Sequence, residues 1–165
     1  MAKKKSWQEK LHDDKDLPKI VEIPAKIRKT WGEGTMLIPA PLEVDRIMQQ
    51  IPKGKLSTIS EIRELLSKKH KTTIACPMTT GIFAWIAANA AEELRSEGKK
   101  RITPYWRTLK SKGELNPKYP GGIEAIRKLL EAEGHKIIEK GKKNKKYFVE
   151  NFEKALVDIR KIKTD

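Results

Sequence analysis

A single cysteine, Cys76, rules out an internal disulfide, so no covalent staple holds this chain together. Histidine is nearly as scarce: His12, His70 and His135 stand far apart, without the spacing that gathers a zinc ion, and no metal is expected. No glycine-rich phosphate loop and no Gly-x-Ser-x-Gly elbow occurs, which leaves no sign of a nucleotide cofactor or a serine nucleophile. Long apolar runs are missing too. No stretch nears the roughly 18 residues of a membrane span, and Met1-Ala-Lys-Lys-Lys5 leads into no apolar signal core, so the expected location is cytoplasmic, with no membrane partner. Acidic residues are the last shortage. Against 36 lysines and arginines stand 22 aspartates and glutamates, a net charge of +14, which favours a polyanionic partner. Of these, 26 basic and only 14 acidic residues fall in 47–165, so the binding half is the second.

What is present is a chain of 165 residues, enough for one domain with its own core. Its 38% hydrophobic and 35% charged content implies a modest core under a heavily charged surface. Residues 1–41 are proline-rich and near neutral. They read as an N-terminal arm, with a short helix around Ser6–His12, that packs on the domain through Trp7, Trp31 and Met36-Leu-Ile38. Pro41–Ile51 then reads as a helix with Val44, Ile47, Met48 and Ile51 on one face. Thr58-Ile-Ser-Glu61 is a capping box that starts another helix, closed by Lys68-Lys-His-Lys71. After Cys76-Pro77, a cap at Thr79 or Thr80 opens a helix from Gly81, whose many small residues allow close approach to another surface.

Two helices with a short connection, the second lined by small residues, match the helix-turn-helix that enters a DNA groove. A buried core helix explains Ile82, Phe83 and Ile86 equally well, and both readings stay open. Thr108–Leu115 reads as a hairpin turning at Gly113, the wing of such a domain. Gly121-Gly122 introduces a helix to Glu133 with Gly134 as its C-cap. Two strands, Lys136–Ile138 and Tyr147–Val149, flank the lysine tip Gly141–Lys146, read either as a phosphate contact or as a solvated loop. A last helix uses Phe152, Ala155, Leu156 and Ile159. The most conspicuous stretch is Arg101-Ile-Thr-Pro-Tyr-Trp-Arg107. Its paired aromatics would be costly to leave in water, and Pro104 keeps them out of a helix interior.

The order Ile51–Ile62, Ala87-Ala-Asn89, Pro104-Tyr-Trp-Arg107, Gly113, Tyr119-Pro-Gly-Gly122 and Leu129–His135 resembles the C-terminal domain of O6-alkylguanine-DNA alkyltransferases over about residues 42–138. The resemblance implies a winged-helix-like DNA-binding domain and a pocket in which a cysteine takes an alkyl group from a flipped guanine. A histidine, acting through water and a glutamate, would draw off the proton. Here Tyr105 stands at the cysteine position and Trp106 at the histidine position, while Pro104, Arg107 and Glu133 remain. A phenol is a poor substitute for a thiolate, so the transfer reaction is expected to be lost, as in the alkyltransferase-like branch that binds alkylated DNA without repairing it. The residue that intercalates in the family falls among Met78, Thr79 and Thr80, and its recognition tyrosine is replaced by Ile59.

The expected fold is therefore mainly α with small β elements: an arm (1–41), an alkyltransferase-like winged-helix domain (42–138) and a basic hairpin with a C-terminal helix (139–165). The expected function is non-enzymatic binding of double-stranded DNA, with O6-alkylguanine as a candidate lesion and no cofactor. A regulator that kept only the fold is the alternative, and an enzyme using Cys76 is a third reading. Met78, Thr79, Thr80, Gly81, Trp85, Asn89, Pro104, Tyr105, Trp106, Arg107, Tyr119, Gly121, Gly122 and Glu133 are the candidate pocket and DNA-contact residues. Lys53, Lys55, Lys99, Lys100, Arg101 and Lys110 are the candidate phosphate contacts. Glu92-Glu93 would repel phosphate, so only the N-terminal half of the second helix is expected to approach DNA.

Overall fold

The computed structural model describes residues 4–164; Met1–Lys3 and Asp165 lie outside them. Ser6 starts the first helix, α1 (Trp7–His12), by accepting the Glu9 N–H at 3.0 Å. Strand β1 (Lys19–Glu22), the single turn α2 (Arg28–Trp31) and strand β2 (Thr35–Ile38) follow. β1 and β2 pair antiparallel, with Lys19 opposite Ile38. Helix α3 (Pro41–Met48) begins on a proline, whose fixed φ suits a first turn, and buries Val44, Ile47 and Met48.

A short strand, β3 (Ser57–Thr58), leads into α4 (Ile59–His70). The Glu61 carboxylate accepts the Thr58 N–H at 2.8 Å, and the Thr58 hydroxyl donates to the same carboxylate. Lys71, in the left-handed region, ends the helix. Strand β4 (Ile74–Ala75) then pairs parallel with β2, completing a sheet of order β1-β2-β4. The first 41 residues thus share a sheet with the body as well as packing on it.

The longest helix is α5 (Pro77–Ser96). It begins ahead of the expected threonine cap, with Cys76 as N-cap; Thr80 lies within the first turn and donates its hydroxyl to the Cys76 carbonyl at 2.7 Å. Ala84, Ala87, Ala88, Ala90 and Ala91 are all buried, so α1, α3 and α4 can close on this one helix. The small-residue face is a core face.

The expected hairpin at Thr108–Leu115 forms only at its tip, where the Lys110 N–H donates to the Glu114 carbonyl at 2.9 Å around Gly113, and no strand ladder extends from it. Strand β5 (Thr108–Leu109) pairs parallel with β3, and a tight turn closes where the Gly113 N–H donates to the Lys110 carbonyl at 2.9 Å. The two sides of that turn therefore serve different sheets. Helix α6 (Gly122–Ala132) buries Ile126 and Leu130 and ends before Gly134, whose φ of +93° suits a helix exit. Strands β6 (Ile137–Lys140) and β7 (Lys146–Val149) form the antiparallel hairpin.

No α-helix follows. Phe152–Ala155 and Ile159–Lys161 are single 3₁₀ turns, because the backbone between them is committed elsewhere: Leu56 donates to the Ala155 carbonyl at 2.9 Å and accepts from Val157 at 2.8 Å. The helical spacing of Phe152, Ala155 and Leu156 still delivers those side chains to the core. The described fold is mainly helical, with three small sheets.

Gly113 has φ +83°, and a Cβ there would run into the Phe152 ring. Gly113→Ala is expected to cost about 2–4 kcal/mol from left-handed strain plus overpacking. Gly54→Ala, at a similar φ but facing open space, should cost only the strain. Urea midpoints of the two variants provide the comparison.

Candidate nucleic-acid interface

The Pro-Tyr-Trp-Arg stretch forms a 3₁₀ turn over Tyr105–Arg107, outside any α-helix as Pro104 predicts. Tyr105 points inward and is 1% exposed. Its ring meets Trp106 and Tyr119 edge-on, with centroids 5.3 and 5.6 Å away. Its hydroxyl donates to the Glu92 carboxylate at 2.7 Å. Burial, the bond to Glu92 and that carboxylate's charge push its pKa far above the ordinary phenol value, so Tyr105 remains a protonated donor.

Trp106 is half-buried and donates its indole N–H to Glu133 at 2.9 Å. Arg107 donates to the same carboxylate from Nε at 2.9 Å and from Nη2 at 2.8 Å, and its Nη1 reaches the Ile51 carbonyl at 2.7 Å. The Gly54 N–H faces Glu133 at 3.5 Å. Glu133 itself directly follows the last residue of α6. Burial alone would raise its pKa, but the hydrogen bonds from Arg107 and Trp106, with the guanidinium charge, outweigh burial and hold it below the ordinary carboxylate value.

Two clefts flank Trp106. The first, about 520 Å³, is walled by Trp106, Pro120 and Leu129 and carries Arg95, Lys100 and Lys128 among its lining. The second, about 740 Å³, opens between α1, α3 and α5 and reaches Asp45 and Arg101. Asp45 is buried and accepts from the Thr103 hydroxyl and Gln49 Nε2, each at 2.7 Å; burial pushes its pKa up.

The candidate residues separate into two places. Tyr105, Trp106 and Gly121 line the smaller cleft, Tyr119 packs on Tyr105, and Gly122 opens α6 beside them; Arg107 and Glu133 clamp Trp106, and Pro104 lines the larger cleft. Met78, Thr79, Thr80 and Gly81 lie at the far end of α5: at about 1.5 Å per residue, Met78 is roughly 21 Å along the helix from Glu92. There, Met78 is 74% and Ile82 45% exposed, while Thr80 is buried.

Trp85 and Asn89 do not form an open contact face. The Trp85 indole donates to the Lys118 carbonyl at 3.1 Å and its ring meets Trp7 edge-on at 4.9 Å, while Asn89 donates to the Trp85 carbonyl at 2.9 Å. Tyr105 and Tyr119 are buried with their rings packed edge-on against each other, so neither forms an open contact face. Lys53, Lys55, Lys99, Lys100, Arg101 and Lys110 are all exposed.

Glu92, Arg95 and Lys128 were not among the candidates. The acidic pair Glu92-Glu93, expected to repel phosphate, turns inward instead: Glu93 accepts the Trp7 and Gln8 N–H groups at 2.9 and 3.1 Å and so caps α1. Cys76 is half-buried. No helix among the described residues is long and apolar enough to cross a membrane. Comparison of the chain with known protein families, curated proteins and solved structures finds no match to any of them.

Glu133→Gln keeps the shape of the clamp but leaves the Arg107 charge unpaired where it is only 14% exposed, for an expected loss of about 3 kcal/mol at neutral pH. Because the folded-state pKa of Glu133 lies below 4.5, its contribution is complete above that value and is lost as pH falls through the folded pKa. The stability gap between the two proteins should therefore narrow in acid, as read from urea unfolding at neutral and acidic pH.

Proposed function

We propose that the protein is a non-enzymatic DNA-binding protein on the plan of the alkyltransferase C-terminal domain, with α4 and α5 as a helix-turn-helix in a winged-helix-like body. The observation that carries this reading is Tyr105 at the position where the resemblance implies the reactive cysteine. Its hydroxyl is buried, held protonated and bonded to Glu92, so it offers no nucleophile to an alkylated base. Trp106, at the implied histidine position, donates directly to Glu133 and has no basic nitrogen to take a proton. Alkyl transfer at this position therefore lacks both nucleophile and base.

Binding draws support from other features. The net charge of +14 and the exposed lysines and arginines around Trp106 suit a phosphate backbone. The exposed Met78 and Ile82 suit an apolar wedge against a base step. An alkylated guanine would lie in the cleft of about 520 Å³ beside Trp106, which falls in the size range of small-ligand sites.

The test is a salt-dependent titration against two matched duplexes, one carrying O6-methylguanine, with the protein mass recorded afterwards. The expected result is salt-sensitive binding of both, about tenfold tighter for the lesion from base stacking on Trp106, with no mass gain. Equal binding with preference for one base sequence would favour a regulator that kept only the fold. A methyl mass increment would restore an enzyme reading. No binding to either duplex at moderate salt would overturn the nucleic-acid reading.

A further inference from the structure

The β6–β7 hairpin lies almost wholly beyond the region of resemblance and carries the densest positive charge in the chain. From Lys136 to Lys146 the sequence places six lysines against one acid, Glu139. All six are exposed. Lys145 pairs with Glu139 at 3.5 Å and Lys136 with Glu150 at 3.6 Å. The Lys140 ammonium stands 4.9 Å over the Phe148 ring. Lys142, Lys143 and Lys146 have no carboxylate partner among the described residues. Like charges crowded onto one turn repel each other, and no internal carboxylate offsets these three.

The hairpin is also built into the body. On its far side, β7 accepts the Leu115 N–H at the Tyr147 carbonyl, 2.8 Å, and donates the Val149 N–H to the Gly113 carbonyl at 3.0 Å. It therefore continues the Lys110–Gly113 turn, whose Ser111 hydroxyl meets Ser60 at 2.8 Å on the first turn of α4. A path of paired backbone and side-chain contacts runs from the start of the helix pair, through this basic turn, to the lysine tip. The tip, Gly141-Lys-Lys-Asn-Lys-Lys146, has no apolar side chain to insert between lipids or into a protein groove. Its recognition can only be by charge.

We infer that this hairpin is the wing, and that it grips the phosphate backbone of the duplex beside the helix pair, the role expected of Thr108–Leu115. The inference rests on the DNA-binding reading above. Alternating strand geometry places Lys140 and Lys146 as a cross-strand pair on one face, with the Lys142, Lys143 and Lys145 ammonium groups at the turn beyond them. A ridge of this kind binds phosphates without reading bases, so it adds affinity and salt dependence for every sequence alike.

The full chain and the variant Lys142→Ala/Lys143→Ala/Lys145→Ala/Lys146→Ala are titrated with an unmodified mixed-sequence DNA duplex over a series of KCl concentrations. Each lost phosphate contact removes about 0.9 from the slope of log affinity against log salt, so the slope is expected to fall by about three to four. The corresponding four-arginine variant should keep it. An unchanged thermal melt by circular dichroism shows that the fold survives. If the unaltered chain binds the duplex and the alanine variant matches its affinity and slope, the hairpin is a solvated loop and the inference falls while the DNA reading stands. If the unaltered chain binds no duplex, both fall. Salt-sensitive binding to phosphatidylserine vesicles without duplex binding would transfer the hairpin to a membrane surface and overturn the inference.

Discussion

The carboxylate of Glu133 is the constraint on which the candidate site depends. It gathers donors from two stretches that are remote in sequence: Trp106 and Arg107 on the 3₁₀ turn, and Gly54 on the connection between α3 and β3. A carboxylate 8% exposed is expensive to desolvate, and one partner would not offset that cost. Two charge-assisted bonds from Arg107 and one from an indole do so, and the net lowering of its pKa is the sign that they succeed. Arg107 then passes the constraint on through the Ile51 carbonyl, just beyond α3. The Pro-Tyr-Trp-Arg turn is thereby held at its Trp106–Arg107 end, while the Thr103 bond to Asp45 holds the residue before Pro104.

Helix α5 imposes the second constraint. Five buried alanines let three helices pack on it, and close packing removes most of its surface from any partner. Its C-terminal half is occupied further by Glu92 on Tyr105 and Glu93 on the start of α1. What remains free is the N-terminal half, where Met78 and Ile82 stand out. The C-terminal half is thus withheld by the bonds of Glu92 and Glu93 to Tyr105 and to α1.

Much of the fold is legible in the sequence, and the reasons differ by element. Local signals locate α1, α3, α4 and α6 to within a few residues: the Ser6 cap, Pro41, the Glu61 box and the Gly121–Gly134 pair. These signals work because capping and proline geometry act within a turn. The final helix, and the Thr108–Leu115 hairpin beyond its tip, fail for the opposite reason. Their backbone groups pair with Leu56 and with β7, partners that are distant in sequence and leave no periodic trace. At the site, the aromatic turn and its arginine were legible because the residue types are conspicuous. The roles of Glu92, Arg95 and Lys128 were not, since a glutamate on an alanine-rich helix reads the same whether it faces water or a buried phenol.

The burial of acids alters what the net charge means. Glu43 is enclosed and accepts from Lys69 and His70 at 3.1 and 2.6 Å, and Glu92, Glu93 and Glu133 each hold internal donors. Glu43 and Glu133 are thereby matched by basic partners within the fold, whereas Glu93 accepts from neutral backbone amides. The lysines of the Lys53–Lys55 connection, the Lys99–Arg101 loop and the β6–β7 hairpin are exposed, and few have carboxylate partners. These few acids are drawn inward, while others, Glu64, Glu124 and Glu131 among them, share the surface with the exposed lysines. Composition alone supports solubility as readily as binding. It is the local clustering of exposed lysines without carboxylate partners, densest on the β6–β7 hairpin, that makes one part of the surface distinctly positive.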